Sequence, residues 1–223
     1  MMPRQLLLDL PQQAALSRAD FLVTPGNLEA VRWVEAWPQW PAPGVIVTGE
    51  AGCGKTHLAH VWQARSQACV LPLTEALLQP GPEVIGDSRA LVLDDIDTAP
   101  FDNEAFLYLY NCAVSEHVAL LLLARQPVSH WGVQRADLLS RLRALPVVSI
   151  AAPDEDLLAA IMVKLFSDRQ KQVDAEVIQY LLPRMERSFA AAHALVERLD
   201  AAALREHAAI TVPFARRVLA EAA

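Results

Sequence analysis

The stretch Gly49-Glu50-Ala51-Gly52-Cys53-Gly54-Lys55-Thr56 has the residue types and spacing of a phosphate-binding loop. Its glycines let the backbone wrap around a phosphate with the amide groups turned inward. Lys55 would bond the β- and γ-phosphates, and the Thr56 hydroxyl would bind Mg2+. A helix opening at Lys55 adds the positive end of its dipole, and His57 sits in its first turn. Further on, Leu91-Val92-Leu93-Asp94-Asp95 places two carboxylates after an apolar run. Asp94 would hold Mg2+, directly or through water, and Asp95 would polarise an attacking water. An Asp-Asp pair alone reads better as the start of a loop. Paired with the Gly-Lys-Thr element, it points to binding of a nucleotide with Mg2+.

Both elements need a strand in front of them, and the pattern supplies it. Val45–Thr48 is a short apolar run of buried-strand type, followed by a helix from Lys55 to about Gln67. Further strands are expected at 69–73, 90–93, 118–123 and 147–150. Pro72 cannot donate to a ladder, which puts the second strand near a sheet edge. Helices fall between them, at 74–78, 103–116 and 135–145, with Phe106, Leu107 and Tyr110 turned inward on the second of these. Continuous apolar strands separated by helices imply an α/β fold, a parallel five-stranded sheet covered on both faces. Ahead of it, Asn27 is expected to cap a helix that buries Leu28, Val31 and Val34 and ends at Pro38. From Pro153 onward the pattern is entirely helical: Asp154 caps a helix to about Arg169, others run over 174–182 and 188–207, and Thr211 caps a last one with Pro213 in its first turn. The expected organisation is a tail and linker over 1–20, a nucleotide-binding α/β domain over 21–152 and a small helical domain over 153–223.

Composition narrows the classes. The 223 residues are 53% hydrophobic and 20% charged, enough to bury a core. A formal charge of −7 argues against a broad nucleic-acid surface. Cys53, Cys69 and Cys112 form no C-x-x-C pair and read as reduced thiols; Cys53, inside the loop, is expected to be partly accessible and open to modification. The start of the chain has no apolar core of signal-peptide type, and the longest apolar run, Val118–Ala124, is far short of the ~20 residues of a membrane span. The expectation is a cytoplasmic protein with no membrane contact. Trp33, Trp37 and Trp40 read as packing, and His57 with His60 lacks a third metal ligand nearby.

Gly54-Lys55-Thr56-His57-Leu58 with His60, together with Leu93-Asp94-Asp95-Ile96, resembles the AAA+ module of the bacterial replication initiator DnaA. Asp137-Leu138-Leu139-Ser140-Arg141-Leu142, Pro153-Asp154-Glu155-Asp156-Leu157-Leu158 and Arg187-Ser188-Phe189 fit the same module. The sequence ends soon after, so the expectation is a protein without the initiator's helix-turn-helix domain or its oligomerising domain, and without direct sequence-specific DNA binding. What remains resembles the Hda-like DnaA-homologous regulatory inactivators. Gln5-Leu6-Leu7-Leu8-Asp9-Leu10 is similar to the motif by which that family docks on the DNA polymerase III sliding clamp, making Gln5, Leu6, Leu8 and Leu10 the clamp-binding candidates. Without the family context, the same tail reads as a frayed or self-packed end.

The resemblance implies further roles. Arg141 would be an arginine finger that reaches a neighbouring subunit's nucleotide; by spacing alone it could instead pair with Asp137 at i−4. Phe21 to Val23 would lie near the adenine, and the helical domain would be the lid. Two positions depart from the AAA+ pattern. Leu122-Leu123-Ala124, followed by Arg125, stands where a polar residue usually orients water, and Ala190 stands where a lid arginine usually faces the nucleotide. Both weaken hydrolysis by the chain itself and leave phosphate binding intact. The implied function is a nucleotide-held regulator that stimulates ATP hydrolysis by DnaA in trans and prevents re-initiation, with self-association as a further option. The alternatives are a free-standing AAA+ ATPase and a DnaA-like adaptor that recruits another partner to the clamp.

Overall fold

The computed structural model describes residues 21–78, 80–98 and 102–221. The clamp-binding candidates Gln5, Leu6, Leu8 and Leu10 lie outside the described residues. In chain order the elements are α1 (Leu28–Ala36), β1 (Gly44–Thr48), α2 (Lys55–Ser66), β2 (Cys69–Pro72), α3 (Leu73–Ala76), α4 (Pro82–Ile85), β3 (Ala90–Asp94), α5 (Asn103–Ser115), β4 (Ala119–Ala124), α6 (Ala136–Arg143), β5 (Val147–Ser149), α7 (Glu155–Asp168), α8 (Ala175–Leu181), α9 (Phe189–Glu206) and α10 (Val212–Ala220). The short helix α4 was not expected from the sequence. Pro82 supplies its first-turn proline, but with four residues it has no periodicity to detect.

The strands pair in the order β2-β3-β4-β1-β5, all parallel. Pro72 ends the edge strand β2, where its missing N–H costs no ladder bond. The central strands are apolar up to their C-terminal residues because their side chains alternate between two cores. Ile46, Leu91, Leu93, Leu120 and Leu122 face the core covered by α3, α5 and α6. Val45, Val47, Val92, Leu121 and Leu123 face the core covered by α1 and α2. In the second core the fully buried Trp62 stacks on Trp40 at 5.1 Å and meets Trp37 edge-on at 5.9 Å, so the tryptophans pack as expected.

Two inward positions differ from expectation. On α5, Leu109 is buried with Phe106 and Tyr110, while Leu107 is only partly buried, because the helix turns its 106–109–110–113 stripe to the sheet. On α1, Ala30 joins Val31 and Val34 in the core and Leu28 is exposed. Asn27 occupies the cap position, but its side chain turns back to the preceding chain: Oδ1 accepts the Thr24 N–H at 2.9 Å and Nδ2 donates to the Leu22 carbonyl at 2.8 Å.

The helices α7 to α10 form a third core of their own around Met162, Phe166, Leu181, Val196 and Leu199. Asp154, Ser188 and Thr211 accept N–H groups of Leu157, Ala191 and Phe214 and start α7, α9 and α10.

Candidate functional site

The strand order decides what meets at the C-terminal edge of the sheet. Because β4 lies between β3 and β1, the segment after β4 falls between the two loops that carry the motifs. Gly49 N–H donates to the Ala124 carbonyl at 3.2 Å, and Ile96 N–H donates to the Leu123 carbonyl at 3.1 Å. The phosphate-loop motif and the aspartate pair are thus both tied to the end of β4. Ligands of open α/β sheets bind at this edge.

Within the loop, Gly52 and Gly54 adopt left-handed backbone with φ of 70° and 103°. At Gly52 a Cβ would fall 2.7 Å from that of Ser188, so the lid leaves no room for a side chain. Lys55 is only 7% exposed, and its ammonium donates to the carbonyls of Gly49 at 2.7 Å and Glu50 at 2.9 Å, which hold it inside the loop. Cys53 is 1% exposed, contrary to the accessible thiol expected, because the loop folds its side chain inward beside Lys55. Burial raises its pKa above the ordinary thiol value, against the opposing charge of Lys55.

Thr56 and Asp94 are brought together: the Thr56 hydroxyl donates to Asp94 Oδ2 at 2.8 Å. A hydroxyl beside a carboxylate is the hard-oxygen chemistry that Mg2+ takes, so these two residues fit the ion and would hold it. Asp95 has φ of 51°, and its N–H donates to Asp94 Oδ1 at 2.8 Å. Its carboxylate forms an ion pair with Arg125 at 3.6 Å. Asp97 accepts the backbone N–H of Arg125 at 2.9 Å and of Gln126 at 2.6 Å, which fixes the segment that carries Arg125.

Two clefts flank the loop. One, of about 250 Å³, runs from Thr24–Asn27 past Cys53 to Ala151, Asp154 and Phe189, between the sheet and the lid. Phe21 is buried and packs edge-on to His57 at 5.1 Å near Gly54, and Val23 is exposed; neither is among the cleft residues. The other cleft, of about 390 Å³, is lined by Glu50, Ala51, Arg125, Gln126, Glu186 and Arg187. Neither includes Arg141.

The lid reaches the loop through the start of α9. Phe189 N–H donates to the Gly52 carbonyl at 2.9 Å, and Ala190 Cβ lies 3.3 Å from where a Cβ on Gly52 would stand. Position 190 thus faces the loop and carries no charge. Arg187 is turned away to an ion pair with Glu155.

Arg141 is exposed on α6. Its i−4 neighbour Asp137 is occupied by Arg135, which donates to both carboxylate oxygens at 3.1 and 2.9 Å. That bond lowers the Asp137 pKa to about 2. Among the described residues, no ion pair or hydrogen bond holds the Arg141 guanidinium. Arg125 and Asp97 were missed as site residues by sequence reasoning. The sole signal for them was a charged residue directly after a buried strand.

A parallel sheet in this order, with the loop after β1, the aspartates after β3 and a helical lid, is the AAA+ fold. Residues 154–219 match the family model described as the lid domain of Hda. Domain III of the replication initiation protein DnaA from Thermotoga maritima superposes with a TM-score of 0.77 at 15% identity, over 95% of this chain and 98% of that one. AMPPCP-bound DnaA from Aquifex aeolicus superposes with a TM-score of 0.65 at 19% identity, over 79% of this chain and 62% of that one. An uncharacterized protein of Haemophilus influenzae is 24% identical over 189 residues, 79% of this chain and 81% of the relative. The helical part of the chain thus matches the lid of Hda, and the chain as a whole shares the fold of DnaA domain III. Among the described residues no helix is long and apolar enough to cross a membrane.

Proposed function

We propose that this chain regulates replication initiation by stimulating ATP hydrolysis on DnaA in trans. The loop 49–56 holds ADP or ATP with Mg2+ at Thr56 and Asp94. Gln5, Leu6, Leu8 and Leu10 dock on the DNA polymerase III sliding clamp, and Arg141 reaches the partner's terminal phosphate. The observation that carries this reading is Arg141, exposed and left free by the diversion of Asp137 to Arg135. The Hda lid match and the uncharged Ala190 at the loop support it, because a chain short of its own lid arginine is better suited to hold nucleotide than to turn it over.

The test is reconstitution of DnaA–ATP, clamp loaded on DNA and the full chain, following phosphate release. Arg141→Ala is expected to remove most of the stimulation, on the scale of the ~10³-fold or greater effect of arginine fingers. Hydrolysis indifferent to Arg141→Ala would sink the reading. Removal of residues 1–10 is expected to abolish only the clamp-dependent part. A free-standing ATPase is the second reading, favoured by the intact Thr56–Asp94 pair and by Asp95. It requires steady-state turnover by the chain alone, lost in Lys55→Ala and Asp95→Ala and indifferent to DnaA. An adaptor for another partner would bind clamp but not DnaA in a pull-down.

A further inference from the structure

Two arginines of the lid converge on one tyrosine, and neither has a carboxylate partner among the described residues. Helix α8 ends at Leu181, and the turn Leu182–Arg184 that follows it contains Pro183. The turn brings Arg184 back over the helix. Its guanidinium donates to the Tyr180 carbonyl at 2.8 Å, one of the last carbonyls of α8, and lies 3.9 Å above the centre of the Tyr180 ring. From the neighbouring helix α10, Arg216 comes within 5.8 Å of the same ring. Tyr180 is half-buried, whereas Arg184 and Arg216 are exposed.

The next residue on α10 gives the contrast. Arg217 is held by Glu206 and by Glu221 at 3.5 Å, and it packs on the Phe214 ring. Two adjacent arginines are thus sorted into one that is neutralised and one that is not. The chain carries a net charge of −7, so Arg184 and Arg216 are not left unpaired for want of acids. None of Tyr180, Arg184 and Arg216 lines either cleft beside the phosphate loop, which sets this patch apart from them.

The chemistry that the patch suits is a pair of carboxylates. Each guanidinium presents a planar fork of donors, which a carboxylate meets with two parallel hydrogen bonds. Stacking on Tyr180 already orders Arg184, so less entropy is lost when a partner binds. Tyrosine and arginine are also the side chains that anchor protein interfaces. A nucleic-acid strand fits less well, because it gains affinity from a run of cations that displace its counterions. Here Glu176 stands one turn before Tyr180 on α8, and Glu206 and Glu221 surround Arg217. Two fixed cations among acids match discrete carboxylates rather than a continuous polyanion.

We infer that Tyr180, Arg184 and Arg216 form a docking site on the lid for an acidic segment of a partner protein, with one carboxylate on each guanidinium. The site is independent of the nucleotide reading and of Arg141.

The test uses the full chain, 15N-labelled and at low salt, with octaglutamate as the probe and the arginine Nε–Hε signals read by NMR. Saturable shifts are expected at Arg184 and Arg216, with Arg217 unmoved. Arg184→Ala and Arg216→Ala are each expected to weaken binding about tenfold, since one charge-assisted bidentate contact is lost. Arg216 is exposed, so its replacement tests the site without disturbing the lid core. Arg216→Lys keeps the charge, loses the fork and falls between. Arg217→Ala removes a charge that is already paired and stays within about twofold. Octaglutamine, of the same length and uncharged, is expected to move none of these signals. No shifts with octaglutamate, an equal response to octaglutamine, or unchanged affinity in Arg216→Ala would overturn the proposal. Tighter binding of octathymidylate at the same two arginines would overturn it in favour of a nucleic-acid surface.

Discussion

At the scale of single residues, burial and pairing override what residue type alone implies. Cys53 has the position of a reactive loop thiol, yet it is enclosed at 1% exposure and its pKa is raised by burial. Only the thiolate reacts, so alkylation by iodoacetamide at pH 8 is expected at the partly buried Cys69 and Cys112 before Cys53. Peptide mass mapping over time checks the order, and early labelling at Cys53 would contradict it. Asp137 shows the reverse case, an exposed carboxylate governed by one neighbour. Its pKa falls from 3.8 to about 2 through the Arg135 bond. A depressed carboxylate pKa means the pair's contribution is present above the unfolded value and is lost as pH falls through about 2. Between pH 5 and pH 8 Asp137 therefore stays ionised on Arg135, and Arg141 stays free. Carboxyl-carbon NMR titration is expected to place the Asp137 midpoint near 2, and a midpoint at the ordinary carboxylate value would show that the pair does not form.

At the scale of elements, the loop between β4 and α6 is where local sequence and tertiary contact part company. Asn103 Oδ1 accepts the N–H of Gln134 at 2.8 Å, and Glu104 pairs with Arg135 at 3.0 Å. The start of α5 thus aims Arg135 at Asp137. Asp102 accepts N–H groups of Glu104 and Ala105 and starts that helix, so Asp102→Ala is expected to cost about 1 kcal/mol and to loosen the Arg135 anchor with it. Chemical denaturation reads the cost. Asp97→Ala removes the acceptor for two backbone donors after β4 and is expected to cost about 1–2 kcal/mol.

The strands, the loop and the aspartate pair were legible in the sequence because each depends on a run of a few adjacent residues. Val45–Val47 is apolar throughout since both its faces are buried, and the loop 49–56 follows within two residues. The Asp95–Arg125 pair was not legible. It depends on β4 pairing between β3 and β1, and no local pattern carries strand order. The i−4 spacing of Asp137 and Arg141 left open a pairing that does not form, for the same reason: the competing partner, Arg135, is placed by contacts from α5.

At the scale of the whole molecule, the chain is a sheet domain and a helical lid joined over the phosphate loop. The joint is narrow: Phe189 N–H on the Gly52 carbonyl, with Ser188 and Ala190 packed where a Gly52 side chain would stand. A nucleotide seated on the loop would touch both parts, so its binding energy should stabilise them together. A site filled to 100 times its Kd adds about 2.7 kcal/mol to the folded state. Calorimetric melting with saturating ADP is therefore expected to show the lid and the sheet domain unfolding in one sharper, later transition than without it. Gly52→Ala separates the two effects. It combines a left-handed φ of 70° with a contact 2.7 Å from Ser188, so the lid must shift off the loop. The variant is expected to keep the sheet core, to melt in two steps, and to lose most of the stabilisation by ADP. A single transition with the full ADP shift would show that the lid contributes nothing to nucleotide binding. Ala190 would then be a neutral surface position rather than the uncharged seat over the loop that its contacts make it.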